Sequence, residues 1–127
     1  MVSVVISIGS NCGNSNNDQR QDLVAQAISW LKSILIQTSC SEIYETPDAK
    51  STGHPYINAV IKGFYQGDGL QLQEVLKDKE HEMGRTAECR KAGLVPIDMD
   101  IVICDGAIWK SWDYRQKFFR IGFSQIS

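Results

Sequence analysis

No apolar run in this chain approaches the ~20 residues that span a bilayer. The first residues, MVSVVISIGSN, carry neither the basic segment nor the cleavage site of an export signal. The expectation is a chain that is not exported and does not enter a membrane. Cysteines are few: Cys12, Cys40, Cys89 and Cys104 form no C-x-x-C pair and show no zinc-finger spacing. Reduced thiols in a cytoplasm are the simplest reading. Charge of one sign is lacking too. The balance of 13 basic and 15 acidic residues is −2, which argues against broad nucleic-acid binding. Neither a Walker A loop nor G-x-G-x-x-G occurs, so no generic nucleotide fingerprint is present. His54 and His81 stand apart, with no Ser/His/Asp or Cys/His arrangement, and read as ordinary surface or helix residues. What is present is ordinary. The 127 residues, 43% hydrophobic and 22% charged, fit one globular domain over 1–127 and exclude a disordered or fibrous chain.

The charge is unevenly spread. Lys110, Arg115, Lys117 and Arg120 against Asp113 give the last segment +3 and leave −5 for the rest, which suits a discrete anionic ligand or plain solvated charge. Val2 to Ile8 alternates and is β-branched, as a strand requires. Val24, Ala27, Ile28, Leu31 and Leu35 recur at helical spacing over Asp18 to Ile36. Ser41 to Thr46 reads as a short strand stopped by Pro47, and Tyr56 to Tyr65 as a long one. Leu72, Val75, Leu76 and Met83 mark a second helix ended by Gly84. Pro96 to Cys104 is a last strand before an Asp105-Gly106 turn; the aromatic and basic tail has no clear period. The order βαββαβ predicts an α+β, ferredoxin-like fold: an antiparallel sheet with helices on one face and a ligand cleft on the other. Alternation in the strands puts Ser3, Val5 and Ser7, Tyr56, Asn58 and Lys62, and Asp98, Asp100 and Val102 on the cleft side.

Asp98 and Asp100 are the sharpest feature. With one residue between them, their Cβ atoms lie roughly 6.5–7 Å apart on one strand face. No basic residue separates them in the chain. Two carboxylates so close repel, and a shared hard cation such as Mg²⁺ relieves that; the plainer reading is a solvated sheet face. Arg85, Arg90 and Lys91 precede the strand in a loop flanked by Gly84 and Gly93. They suit phosphate oxygens, or equally a solvated loop. Asn58 offers a donor and an acceptor to a flat heterocycle, and Tyr56 a ring beside it, although tyrosine on a strand is more often packing. Phe118, Phe119 and Phe123 can supply a second ring or close a core. Gly9 in Gly9-Ser10-Asn11-Cys12-Gly13 lets a ligand approach the backbone; the rest is a turn.

Five motifs occur in order: I-G-S-N after the first strand, S-x-x-Y-x-T-P at Ser41 to Pro47, Y-I-N-A-V at Tyr56 to Val60, E-x-x-x-G-R at Glu80 to Arg85, and I-D-M-D-I at Ile97 to Ile101. Over about residues 4–106 the chain resembles the 6-hydroxymethyl-7,8-dihydropterin pyrophosphokinase family. The resemblance implies a ferredoxin-like fold, ATP as co-substrate, two Mg²⁺ ions, and transfer of diphosphate to a dihydropterin with release of AMP, as in folate biosynthesis. It implies that Asp98 and Asp100 bind magnesium and that Asn58 hydrogen-bonds the pterin with Tyr56 beside it. Gly9, Thr46 and Pro47 match the pterin pocket wall. Glu80 matches a helix glutamate on the nucleotide side, and Arg85 the first arginine of a mobile catalytic loop. The chain departs from the pattern at Val95, Ala87 and Ala92, where the family usually has arginine, arginine and tryptophan, and it lacks a histidine after the last long strand. Arg90 and Lys91 are candidate replacements in the loop, Arg120 and Phe123 in the tail. The departures keep open a second reading, a pterin- or nucleotide-binding paralogue with weak catalysis. A third, an RNA-binding module, is disfavoured because two aspartates repel phosphate without a metal. The implied partners are small molecules, with no nucleic acid and no membrane.

Overall fold

A computed structural model of the chain describes residues 1–12, 19–47, 54–84 and 94–127. In chain order the elements are β1 (Val2–Ser10), α1 (Arg20–Ile34), β2 (Ile36–Cys40), β3 (Tyr44–Thr46), β4 (Tyr56–Tyr65), α2 (Gly69–Glu82), β5 (Asp98–Cys104), β6 (Ala107–Ile108), α3 (Ser111–Arg115) and α4 (Lys117–Ile126). The strands form one antiparallel sheet in the order β2-β4-β1-β5-β6, with β3 also paired to β4. No helix among the described residues is long and apolar enough to cross a membrane.

The ferredoxin-like α+β plan follows from the patterning. Val4, Ile6 and Ile8 of β1 face Val24, Ala27 and Leu31 of α1 and Leu72 and Leu76 of α2, all buried in the main core. Asp68 starts α2 with a reciprocal cap: its Oδ1 accepts from Gln71 N at 2.8 Å, and Gln71 Oε1 accepts from Asp68 N at 3.0 Å. Asp105 and Gly106 both have positive φ, 49° and 78°, which makes the tight β5–β6 hairpin their sequence suggests.

Three features differ from the sequence expectation. α1 stops at Ile34, an additional strand β2 occupies Ile36–Cys40, and of the strand expected over Ser41 to Thr46 only β3, Tyr44–Thr46, forms. The expected alternation of β5 fails near its end. Between Val5 and Ile6 the partner on β5 moves from Ile103 to Ile101, so Val102 is an extra residue. Cys104 thereby joins the main core, and Ile103 packs on the other side.

The third difference is the tail. The second face of the sheet is not open throughout. Phe119 of α4 is fully buried there against Val5, Val60 and Val102. Tyr44 fastens the helix: its hydroxyl donates to Phe118 O and accepts from Gly122 N at 3.0 Å. Gly122 sits where a Cβ would come within 2.7 Å of both Tyr44 Oη and Val60 Cγ2. Gly122→Ala is therefore expected to lift α4 and to cost about 1–3 kcal/mol of stability, the usual penalty of overpacking. Thermal or urea unfolding checks this, and an unchanged midpoint would show that α4 does not seat so tightly.

Candidate active site

The register of the three central strands builds the site. Gly9 pairs with Asn58 on one side and Asp98 on the other. Ser7 likewise pairs with Val60 and Asp100. Asn58, Gly9 and Asp98 thus form a row across the second face, beyond the part that Phe119 covers. Gly9 leaves the middle of that row without a side chain. A Cβ there would lie 3.2 Å from Tyr56 Cδ2 and 3.3 Å from Asn58 Oδ1.

At one end of the row Asn58 is buried, 2% exposed. Its Nδ2 donates to Thr46 Oγ1 at 2.7 Å and to the Tyr56 carbonyl at 3.2 Å. Both amide hydrogens are thereby committed, and the carbonyl end turns toward Gly9. Thr46 is brought opposite Tyr56 by the β3–β4 ladder.

At the other end the two aspartates converge. Asp98 and Asp100 are close enough for one protonated carboxyl to bond the other. Burial and then the negative charge of Asp100 push Asp98 up to about 7, with Lys77 partly opposing. Burial also works against the charge of Asp100, but Lys77 and Lys110 outweigh it and hold that carboxyl below its ordinary value. Asp98 keeps 37% of its side chain exposed and Asp100 15%. Lys77 of α2 reaches between them: its Nζ lies 3.2 Å from Asp100 Oδ1, 3.7 Å from Asp98 Oδ1, 2.8 Å from Glu80 Oε2 and 3.2 Å from the Met99 carbonyl. Lys110 Nζ stands 3.5 Å from Asp100 Oδ1. Beside the pair a groove of about 150 Å³ is lined by Gln73, Lys77, Asp100, Ile101, Trp109 and Lys110, among others.

Residues 5–126 fit the model of 7,8-dihydro-6-hydroxymethylpterin-pyrophosphokinase. The chain belongs to that family. It is also 37% identical over 101 residues to a folate synthesis bifunctional protein of Arabidopsis thaliana, a match covering 78% of this chain and 20% of that protein. A mitochondrial folate synthesis bifunctional protein of the same plant is 35% identical over 100 residues, covering 78% of this chain and 17% of the other. The chain therefore spans about a fifth of the length of these relatives.

Of the residues singled out in the sequence of this family member, Gly9, Thr46, Tyr56, Asn58, Asp98 and Asp100 gather on or around the row. Pro47 follows β3 and is exposed. Glu80 is buried, 1% exposed; its Oε2 accepts from Lys77 and, at 3.4 Å, from Met99 N, so it supports β5 from the helix side. Phe123 stacks on Phe119 at 5.1 Å and faces Tyr114 at 6.2 Å, within the second core. Arg85, Arg90 and Lys91 lie outside the described residues.

No basic residue separates the aspartates in the chain, yet the fold brings two lysines to the pair from other elements. Lys77 was detectable in principle: it lies three residues before Glu80, on the same helix face. Lys110 and Trp109 come through the β5–β6 hairpin, and no local pattern marked them.

Proposed function

We propose that the chain transfers the terminal diphosphate of ATP to the hydroxymethyl oxygen of 6-hydroxymethyl-7,8-dihydropterin and releases AMP, a step of folate synthesis. We take it to act as one domain over 1–127, in a cytoplasm. The observation that carries this reading is the row Asn58–Gly9–Asp98. It sets a hydrogen-bond acceptor and an acidic pair two strand spacings apart, roughly 9–10 Å, across a floor with no side chain.

On this reading a flat bicyclic ring lies over Gly9. Asn58 Oδ1 accepts from its N–H groups, and Tyr56 and Thr46 keep that carboxamide in place. Pro47 borders the same wall, and Phe123 holds α4 beneath it. Diphosphate transfer asks for alignment and charge neutralisation more than for a nucleophilic side chain.

The donor set suits magnesium. Asp98 and Asp100 are hard oxygen ligands, converge on one face and stay partly exposed, and Mg²⁺ needs only one or two protein carboxylates besides water and phosphate. Two such ions, held by Asp98 and Asp100, would supply charge neutralisation to the phosphates and polarise the acceptor hydroxyl. Arg85, Arg90 and Lys91 are the residues assigned to charge that develops in transfer. Glu80 acts on the nucleotide side through Lys77 and β5. The groove beside Asp100, with Trp109 as a wall, is assigned to the nucleoside.

The deciding experiment incubates the chain with ATP, Mg²⁺ and the dihydropterin and follows AMP. Pterin-dependent AMP supports the enzyme; pterin binding without AMP supports the weakly catalytic paralogue. Gly69 gives a test of the groove. A Cβ on it would overlap the Trp109 ring and come within 3.0 Å of Cys104 Sγ. Gly69→Ala is expected to displace the indole, shift tryptophan emission and raise the KM for ATP several-fold with little change for pterin. An unchanged KM beside a shifted emission would remove Trp109 from the nucleotide site.

A further inference from the structure

Lys77 holds a position unusual for a lysine. Its ammonium contacts oxygens of three acidic side chains at once, those of Glu80, Asp100 and Asp98, and one backbone carbonyl. On Asp98 and Asp100 it faces Oδ1 of each, so one ammonium sits against an oxygen of both carboxylates. An ion bridging the two carboxylates needs that same space. The four contacts are also unequal. The longest, 3.7 Å and 3.2 Å, include both aspartates, while the shortest, 2.8 Å, is to buried Glu80. Lys77 can therefore leave the aspartates and keep Glu80. It has room to do so: the side chain is 39% exposed and borders the groove beside Asp100. Lys110 also faces the pair, but it contacts only Asp100, from an exposed position.

We propose that Lys77 is a resident counter-cation of the Asp98–Asp100 pair, which an incoming divalent ion must displace and which therefore weakens metal binding until displaced. Its role is to position and neutralise the pair in the metal-free protein. After displacement the ammonium stays anchored on Glu80, at the mouth of the groove, where it can meet an anionic oxygen of a bound ligand. The inference rests on the reading of Asp98 and Asp100 as metal ligands and goes beyond it.

The test titrates the full chain with Mn²⁺ alone, without nucleotide or pterin, and measures the free ion by electron paramagnetic resonance. Lys77→Met removes a positive charge from within a few ångströms of the ion, and should bind Mn²⁺ at least about tenfold more tightly than the parent. Lys77→Met also strips buried Glu80 of its lysine and can impair folding. The double variant Lys77→Met, Glu80→Gln removes that buried charge while keeping an acceptor for Met99 N, and should bind Mn²⁺ as tightly as the single one. The Asp98→Asn, Asp100→Asn variant should not bind. Equal or weaker affinity in both lysine variants, with binding still lost in the aspartate variant, overturns the role of Lys77 and leaves the metal site standing. Binding that ignores the aspartate variant overturns the metal site itself and the inference with it.

Discussion

Asp98→Ala is expected to slow AMP release by roughly 10³-fold or more, while the metal-free protein melts no lower than its parent at pH 8. The first part follows from the role assigned to the pair: with one carboxylate gone, a divalent ion loses half of its protein ligands. The second part follows from electrostatics. The folded-state value of Asp98, about 7, lies above its ordinary 3.8. The proton it binds stabilises the fold fully below about pH 4, and that contribution is lost as the pH rises through 7. At pH 8 the parent carries two ionised carboxyls side by side, with Lys77 as their main relief. Alanine removes the repulsion, so the stability curve between pH 4 and 8 should flatten. Quenched-flow or steady-state AMP assays and thermal melts at several pH values check both halves. A folded variant with undiminished AMP release would contradict the assignment.

Asn58→Ala should weaken pterin binding by about 10²-fold, because a buried acceptor aimed at the ligand cannot be replaced by water. Stability should also fall, by about 1–3 kcal/mol, since Thr46 Oγ1 and the Tyr56 carbonyl lose their donor. Thr46→Val separates the two effects. It keeps the Asn58 oxygen and removes only the hydroxyl that orients it, so its loss of affinity should be smaller. Direct titration with the pterin in the absence of ATP makes the comparison independent of catalysis. Unchanged affinity in Asn58→Ala would take the ring off this row.

The acidic pair, Asn58 and Gly9 were legible because strand alternation is a two-residue rule, and every one of them obeys it. Other elements escaped for identifiable reasons. Nothing ends α1 in the sequence: Leu31 and Leu35 keep the helical period, the chain turns extended at Leu35 with no glycine or proline to announce it, and Gln37, at φ 54°, makes the start of β2 irregular. The extra residue at Val102 is silent because Val102, Ile103 and Cys104 are all apolar and suit either face. In α4 Phe119, Gly122, Phe123 and Ile126 make a workable helical stripe, blurred by Phe118 and by exposed Ile121. The helix also lacks a side-chain cap at Gln116 and carries Gly122 in its middle. The lysines around the aspartates come from α2 and from the end of the β5–β6 hairpin, and only tertiary packing brings them together.

The extra residue in β5 divides one strand between two employers. Upstream of Val102, alternate side chains go to the face that carries Asp98 and Asp100; downstream, the parity inverts and Cys104 goes to the hydrophobic interior. A deletion of one residue there would leave composition and hydropathy nearly untouched. It would still force a choice between a misfiled carboxylate pair and a misfiled core. In this stretch the count of residues, more than their kind, is what mutation cannot alter cheaply.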